Sequence, residues 1–268
     1  MNKQGKGKIE YLDYTWNPVT GCYHGCYYCF AEKIAKRFGH NTINEACMFR
    51  KKPKIYQLDY PCTYDRDCGW DSMGNPIVKD FIDPYPAGFS PTFHRYRLNE
   101  PQKKKEPSII GVVYMGDLFG DWVPDGQIRE VFKACEAAPR HTYLFLTKNG
   151  ARYEQLGLLP ENDNFWYGTT RTGINPNLEC GSADHGKTFL SLEPLLAPMD
   201  ADMLNAIDMW DWVIVGQQTG PGAKPPEDEW VQSIIDQCRA AGVPIFIKSP
   251  LYKRFPIQEW PEGLQTEK

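Results

Sequence analysis

The chain has no apolar run approaching the roughly 20 residues that a bilayer-spanning helix requires, which excludes a helical membrane protein. The lysines near its start, Lys3, Lys6 and Lys8, are not followed by the apolar stretch of a secretory leader. It also lacks an excess of one charge. The 30 Lys and Arg face 34 Asp and Glu, a net charge of −4, so no global field draws the protein to nucleic acid. Local basic runs do occur, at Lys36-Arg37, Arg50-Lys51-Lys52-Pro53-Lys54 and Lys103-Lys104-Lys105; taken singly, each reads as solvated loop charge. The glycine-rich stretch Gly216–Gly222 does not carry the dinucleotide fingerprint. The nine cysteines cannot all pair with one another. With no leader, they place the protein in a reducing compartment, the cytoplasm.

What is present is a tight cysteine triplet. Cys22, Cys26 and Cys29 stand at C-x3-C-x2-C spacing in a loop rich in Gly and Tyr. A zinc site usually shows two separated ligand pairs closing a tetrahedron. His24 lies inside the triplet and Cys47 is the nearest later cysteine, so a closed zinc site is available but oddly spaced. A cubane [4Fe–4S] cluster takes cysteine thiolates, and three from one loop leave one iron open to a chelating small molecule. With an aromatic, Tyr28, just before the third cysteine, the loop resembles the signature of the radical S-adenosylmethionine (SAM) enzymes. That resemblance implies that the open iron holds SAM and that one electron cleaves it to a 5′-deoxyadenosyl radical.

From Ser108 onward short apolar runs alternate with helical patterns. Strands are predicted at Tyr14–Val19, Ser108–Met115, His141–Thr147, Phe165–Thr170, Thr188–Leu192, Trp212–Gly216 and Val243–Ile247. Helices are predicted at Pro124–Ala138, Asp200–Ile207 and Glu229–Ala241. The alternation predicts an α/β fold of parallel βαβ units, a partial (β/α) TIM-like barrel of six to seven units in one domain. Near-continuous apolar strands imply burial on both faces. The segment 47–102 breaks the rhythm and reads as an irregular insertion, a lid over the barrel mouth. Its Cys62 and Cys68, with Cys47, are candidates for a second metal site or are isolated thiols.

In (β/α) barrels the chemistry lies at the C-terminal strand ends. Those positions hold the cysteine loop, Gly116-Asp117, Lys148, Thr169-Thr170-Arg171, Glu193, Gly216-Gln217-Gln218 and Lys248. Such a rim suits a zwitterionic, hydroxyl-rich ligand. The SAM ammonium needs the Gly116 carbonyl or Asp117, its ribose a carboxylate such as Glu193, and its carboxylate Lys148 or Arg171. Tyr28, Thr170, Gly216 and Gln217 complete the expected cofactor contacts. Within the insertion, Phe93-His94-Arg95-Tyr96-Arg97 is basic and aromatic, so His94 and Arg97, with Lys248, are the candidate substrate contacts.

The runs Thr15–Cys22, Gly116–Phe119, Leu146–Lys148, Ser191–Leu196, Asp211–Gly216, Gly220–Ala223 and Val243–Lys248, in that order, resemble a radical-SAM-like family of phages and bacteria, known as a phage protein family of largely unknown function. Relatives there tend to show a longer gap between the first two cysteines, and an acid after the fourth strand where this chain has Thr170-Arg171. The resemblance implies a [4Fe–4S] cluster, SAM and an external one-electron reductant of flavodoxin or ferredoxin type. The expected function is radical modification of a nucleotide or nucleic-acid base. Two alternatives stand beside it: a radical SAM enzyme acting on a small molecule or peptide, and a zinc-stabilised, non-catalytic nucleic-acid-binding module.

Overall fold

The computed structural model describes residues 1–5, 7–43, 53–70, 73, 76–157, 159–174 and 186–264. In chain order they form β1 (Asn2–Lys3), β2 (Tyr14–Trp16), β3 (Val19–Thr20), α1 (Phe30–Phe38), β4 (Tyr56–Leu58), β5 (Thr63–Trp70), β6 (Pro76–Ile82), β7 (Thr92–His94), α2 (Glu100–Lys103), β8 (Ile109–Val112), α3 (Asp125–Glu136), β9 (Thr142–Thr147), α4 (Ala151–Gln155), β10 (Phe165–Arg171), β11 (Lys187–Leu192), α5 (Ala201–Asn205), β12 (Val213–Val215), α6 (Asp228–Ala241) and β13 (Ile245–Ile247). The fold is mixed α/β. Its main sheet has the order β1-β2-β8-β9-β10-β11-β12-β13. β1 is antiparallel to β2, and every other neighbouring pair is parallel.

Parallel neighbours in chain order need a crossover between each pair; α3, α4, α5 and α6 supply it for β8–β9, β9–β10, β11–β12 and β12–β13. Strand side chains alternate between faces. On β9, Tyr143 and Phe145 enter one buried cluster with Ile128, Val131 and Phe132 of α3, while Leu144 enters another. On β12 and β13, Val213, Val215, Ile245 and Ile247 pack with Val231, Ile234 and Ile235 of α6, whereas Ile214 and Phe246 point the other way. Both faces are therefore buried, as the unbroken apolar runs required. Each such aliphatic or aromatic side chain contributes about 1.5–3 kcal/mol when fully buried. α6 stops at Gly242, whose φ of 70° gives the left-handed C-terminal turn that a Cβ would penalise.

The sheet curls. Tyr11, just before β2, meets the rings of Trp212 and Phe246 at 5.7 and 6.0 Å. The Ser249 N–H donates to Glu10 Oε2 at 2.9 Å. Among the described residues no strand pairing joins β13 to β1 or β2.

Two expectations change. The strand expected at 108–115 ends at Val112, because Val113 turns to φ 60°, a strained conformation for a β-branched residue. The described part of segment 47–102 is not irregular: β7 lies between β3 and β4 in a three-stranded sheet, and β5 pairs with β6 as a hairpin. These strands escaped notice because most of their described side chains in β5 and β6 are exposed, so no apolar alternation marks them. Cys47 lies outside the described residues. Among the described residues no helix is long and apolar enough to cross a membrane.

Candidate functional site

The cysteine loop leaves β3 through Gly21. Gly21 bridges Gly116 beyond β8, its N–H donates to the Met115 carbonyl at 2.9 Å, and the Cys22 N–H donates to the Phe89 carbonyl at 3.2 Å. Gly21 has φ 82°, and a Cβ there would lie 2.4 Å from the Ser90 carbonyl oxygen, so only glycine fits. The loop then closes on itself, with the Cys29 N–H donating to the Cys26 carbonyl at 3.0 Å. Cys29 caps α1, its Sγ accepting from the Glu32 N–H at 3.4 Å; Cys22 Sγ accepts from the His24 N–H at 3.4 Å. All three thiols are partly exposed. Burial pushes the Cys22 thiol up to about 12, against the His24 N–H, and the charges of Asp117, Cys26 and Cys29 add to the rise. Burial also raises Cys29, opposed by the N–H groups of Glu32 and Ala31 and by Lys148. Three thiolates this close repel one another, and a cation among them would reverse the preference.

Asp117 anchors the loop from the strand-end side. It is buried, and burial alone would raise its pKa. Hydrogen bonds from His24, the Lys148 N–H and Thr147 outweigh that and hold it below the usual carboxylate range. His24 Nε2 lies 2.8 Å from its Oδ2, the Thr147 hydroxyl donates to Oδ1 at 2.8 Å, and the N–H groups of Lys148 and Phe119 each donate at 3.0 Å. His24 also packs edge-on against Trp122 at 5.0 Å. The Lys148 ammonium stands 5.9 Å from the Tyr28 ring centroid, facing the loop.

Glu193, at the end of β11, forms a second polar cluster. Its Oε1 pairs with Lys248 Nζ at 2.6 Å. The hydroxyls of Tyr11 and Ser191 donate to its Oε2, both at 3.4 Å. Lys248 also stands 5.4 Å from the Tyr11 ring. Gly216 makes room, since a Cβ there would lie 2.2 Å from Glu193 Oε1.

A family model described as "Protein of unknown function (DUF5131)" matches residues 6–252. The chain belongs to this family. No curated protein and no solved structure matches it. The DUF5131 match spans the cysteine loop, Asp117, Glu193 and Lys248 alike.

In this DUF5131 member the other expected positions fall as follows. Gly116 sits against Gly21 at the loop's base. Thr170 and Arg171 are buried in β10, and Gln217 and Gln218 are half-buried just after β12. His94 is buried, with Nε2 2.8 Å from the Thr20 hydroxyl. Arg97 donates to the main-chain carbonyls of Asn17 and Pro84. These contacts tie β7 and the turn after it to the sheet, a structural use for the pair. Within the 47–102 segment, Phe89 and Ser90 meet the start of the cysteine loop, while Gln57 and Arg95 reach α3. Its end does not: the Gln102 carbonyl accepts from Arg140 just before β9, at the opposite end of the strands, and its start lies outside the described residues. Cys62 sits by Thr42 and Asp83, and Cys68 is exposed on the hairpin. Among the described residues no group of three or more His, Cys, Asp or Glu could hold a single metal ion. Sequence reading missed the anchoring role of His24 and the parts played by Thr147, Tyr11 and Ser191. Thr147 ends a predicted strand, a signal that could have found it; Tyr11 carries none.

Proposed function

We propose that this protein is a radical SAM enzyme on a partial (β/α) barrel, with Cys22, Cys26 and Cys29 as ligands of a [4Fe–4S] cluster. The observation that carries this reading is the loop itself: three thiols within the eight residues 22–29 beyond β3, two of them accepting backbone N–H bonds. N–H donors to cluster sulfurs are among the means by which proteins tune such centres. A mononuclear zinc site would draw its ligands onto one ion, whereas a cubane takes one thiolate per iron.

When bound and reduced, the cluster supplies the electron that cleaves SAM to the 5′-deoxyadenosyl radical. The chain's own residues bind and orient. Asp117 fixes the loop through His24 and accepts the Lys148 N–H at the end of β9. Lys148 offers a cation for a carboxylate, and Glu193 an acceptor for ribose hydroxyls, with Lys248 and Tyr11 holding it in place. Gly116, Gly216 and Gln217 supply main chain and amide at the same rim. An external flavodoxin- or ferredoxin-type protein would deliver the electron in the cytoplasm, and a nucleotide or nucleic-acid base is the substrate class.

The test is anaerobic reconstitution with iron and sulfide, then incubation with SAM and dithionite. Wild type should turn brown and release 5′-deoxyadenosine, and any single Cys→Ala change at 22, 26 or 29 should abolish both. Full iron content in the triple variant, or stoichiometric zinc in place of iron in the protein as purified, would sink the proposal.

A further inference from the structure

α1 carries an apolar face that its own sheet does not use. Ala31 and Ala35 are buried and Ile34 is partly buried against them, yet Phe30 and Phe38, on either side of Ile34, are 51% and 50% exposed. Positions 30, 34 and 38 repeat at the i, i+4 spacing of one helix face. The stripe starts beside the cysteine loop, where Tyr27 is 71% exposed. About 12 Å along the helix axis it ends in an open groove. This groove, of about 880 Å³, lies between the end of α1 and the β5–β6 hairpin. Arg37, Phe38, His40, Tyr64 and Arg66 line it. The His40 and Tyr64 rings stack at 3.6 Å and 20°. Arg37 stands 5.2 Å from the Phe38 ring, and Arg66 stands 6.0 Å from the Phe81 ring.

We propose that this stripe and groove bind single-stranded nucleic acid and lead it to the cysteine loop. Exposed flat rings offer faces on which any base can stack, and the interleaved guanidiniums match the alternation of base and phosphate. A solvated charge run does not require half-exposed phenylalanines in register with it, and exposed apolar surface of this kind marks an interaction site. Asp65 also lines the groove, opposite Asp80 on β6, and repels phosphate there. Phosphate contact therefore falls to Arg37 and Arg66. The inference deepens the base-modification reading above, while resting on its own surface.

The experiment is fluorescence anisotropy with labelled dT12 and rU12 on the intact chain, with iron content measured in the same sample. Two neutralised phosphates predict saturable binding whose logarithmic salt slope is about −1.4. The Arg37→Gln/Arg66→Gln and Phe38→Ala/Tyr64→Ala variants, checked for an unchanged melting temperature, should each weaken binding at least tenfold. A preference for dT12 or rU12 identifies the source of the strand. No saturable binding of either oligonucleotide, equal binding by both variants, or binding of anionic vesicles or an acidic peptide in preference to the strands would overturn the proposal. Strand binding by a protein that takes up no iron upholds the groove and overturns the cluster alone; iron without strand binding does the reverse.

Discussion

His94 is a basic-looking residue that the fold has made neutral. Its imidazole is buried between Thr20 and Tyr96, and burial first, then the nearby Arg97 charge, holds its pKa well below the ordinary value. In the unfolded chain the same group titrates near about 6.5. The folded value is the lowered one, so the unfolded state binds the extra proton. The stabilisation is complete above that pH and is lost as pH falls below it, by up to about 1.4 kcal/mol per pH unit. Urea unfolding of wild type between about pH 7.5 and 5.5 should show this loss, and His94→Gln should show a shallower one. Identical slopes would assign the dependence elsewhere, with buried His141, whose pKa burial also lowers, the next suspect. At this scale the sequence is a poor guide. The residue types of the His94–Arg97 run advertise a substrate contact, and only burial reveals hydrogen bonds to Thr20 and to main-chain carbonyls. The His24–Asp117 contact was equally hidden, since 93 residues separate its partners.

Among elements, β8 to β13 were legible because each is an apolar run closed by a polar or glycine residue and buried on both faces. The strands β4 to β7 were not. β5 and β6 are largely exposed, and β7 is held by partners at Val19 and Tyr56, a pairing that no local pattern encodes. Yet β7 is what seats the cysteine loop, because the chain just before it meets Gly21. The Ser90 carbonyl leaves no room for a side chain there, and φ at Gly21 is 82°. Gly21→Ala must therefore move the start of the loop as well as strain its backbone. It should cost about 1–3 kcal/mol, the usual strain for a residue forced into such a region. It should also lower iron uptake on reconstitution, although every cysteine is intact. Guanidinium unfolding and iron assay check the two effects. Full iron loading at wild-type stability would show that the loop tolerates displacement.

For the whole molecule, the curl of the sheet brings distant parts of the chain to Glu193. Tyr11 arrives from before β2, Lys248 from just after β13, and Ser191 from β11 itself. The strand-end rule singled out Glu193 as an expected cofactor contact and Lys248 as an expected substrate contact; their mutual pairing needed the curvature that sequence periodicity does not report. The pair is mostly shielded, with 17% and 18% of the two side chains exposed. Removing one partner of a shielded pair leaves the other charge uncompensated, which costs more than removing both. Glu193→Gln and Lys248→Met should each lower unfolding free energy by about 1–3 kcal/mol, and the double variant should lose less than the sum of the two. Strict additivity would mean that water already screens the pair. SAM binding separates the structural share from the functional one. Titration of the reconstituted protein with SAM should show weaker affinity in Glu193→Gln even under conditions where it is fully folded. The double variant, which restores packing but not the carboxylate, should remain equally weak. Recovery of affinity in the double variant would make Glu193 a strut that holds the two ends of the sheet together rather than a ligand contact.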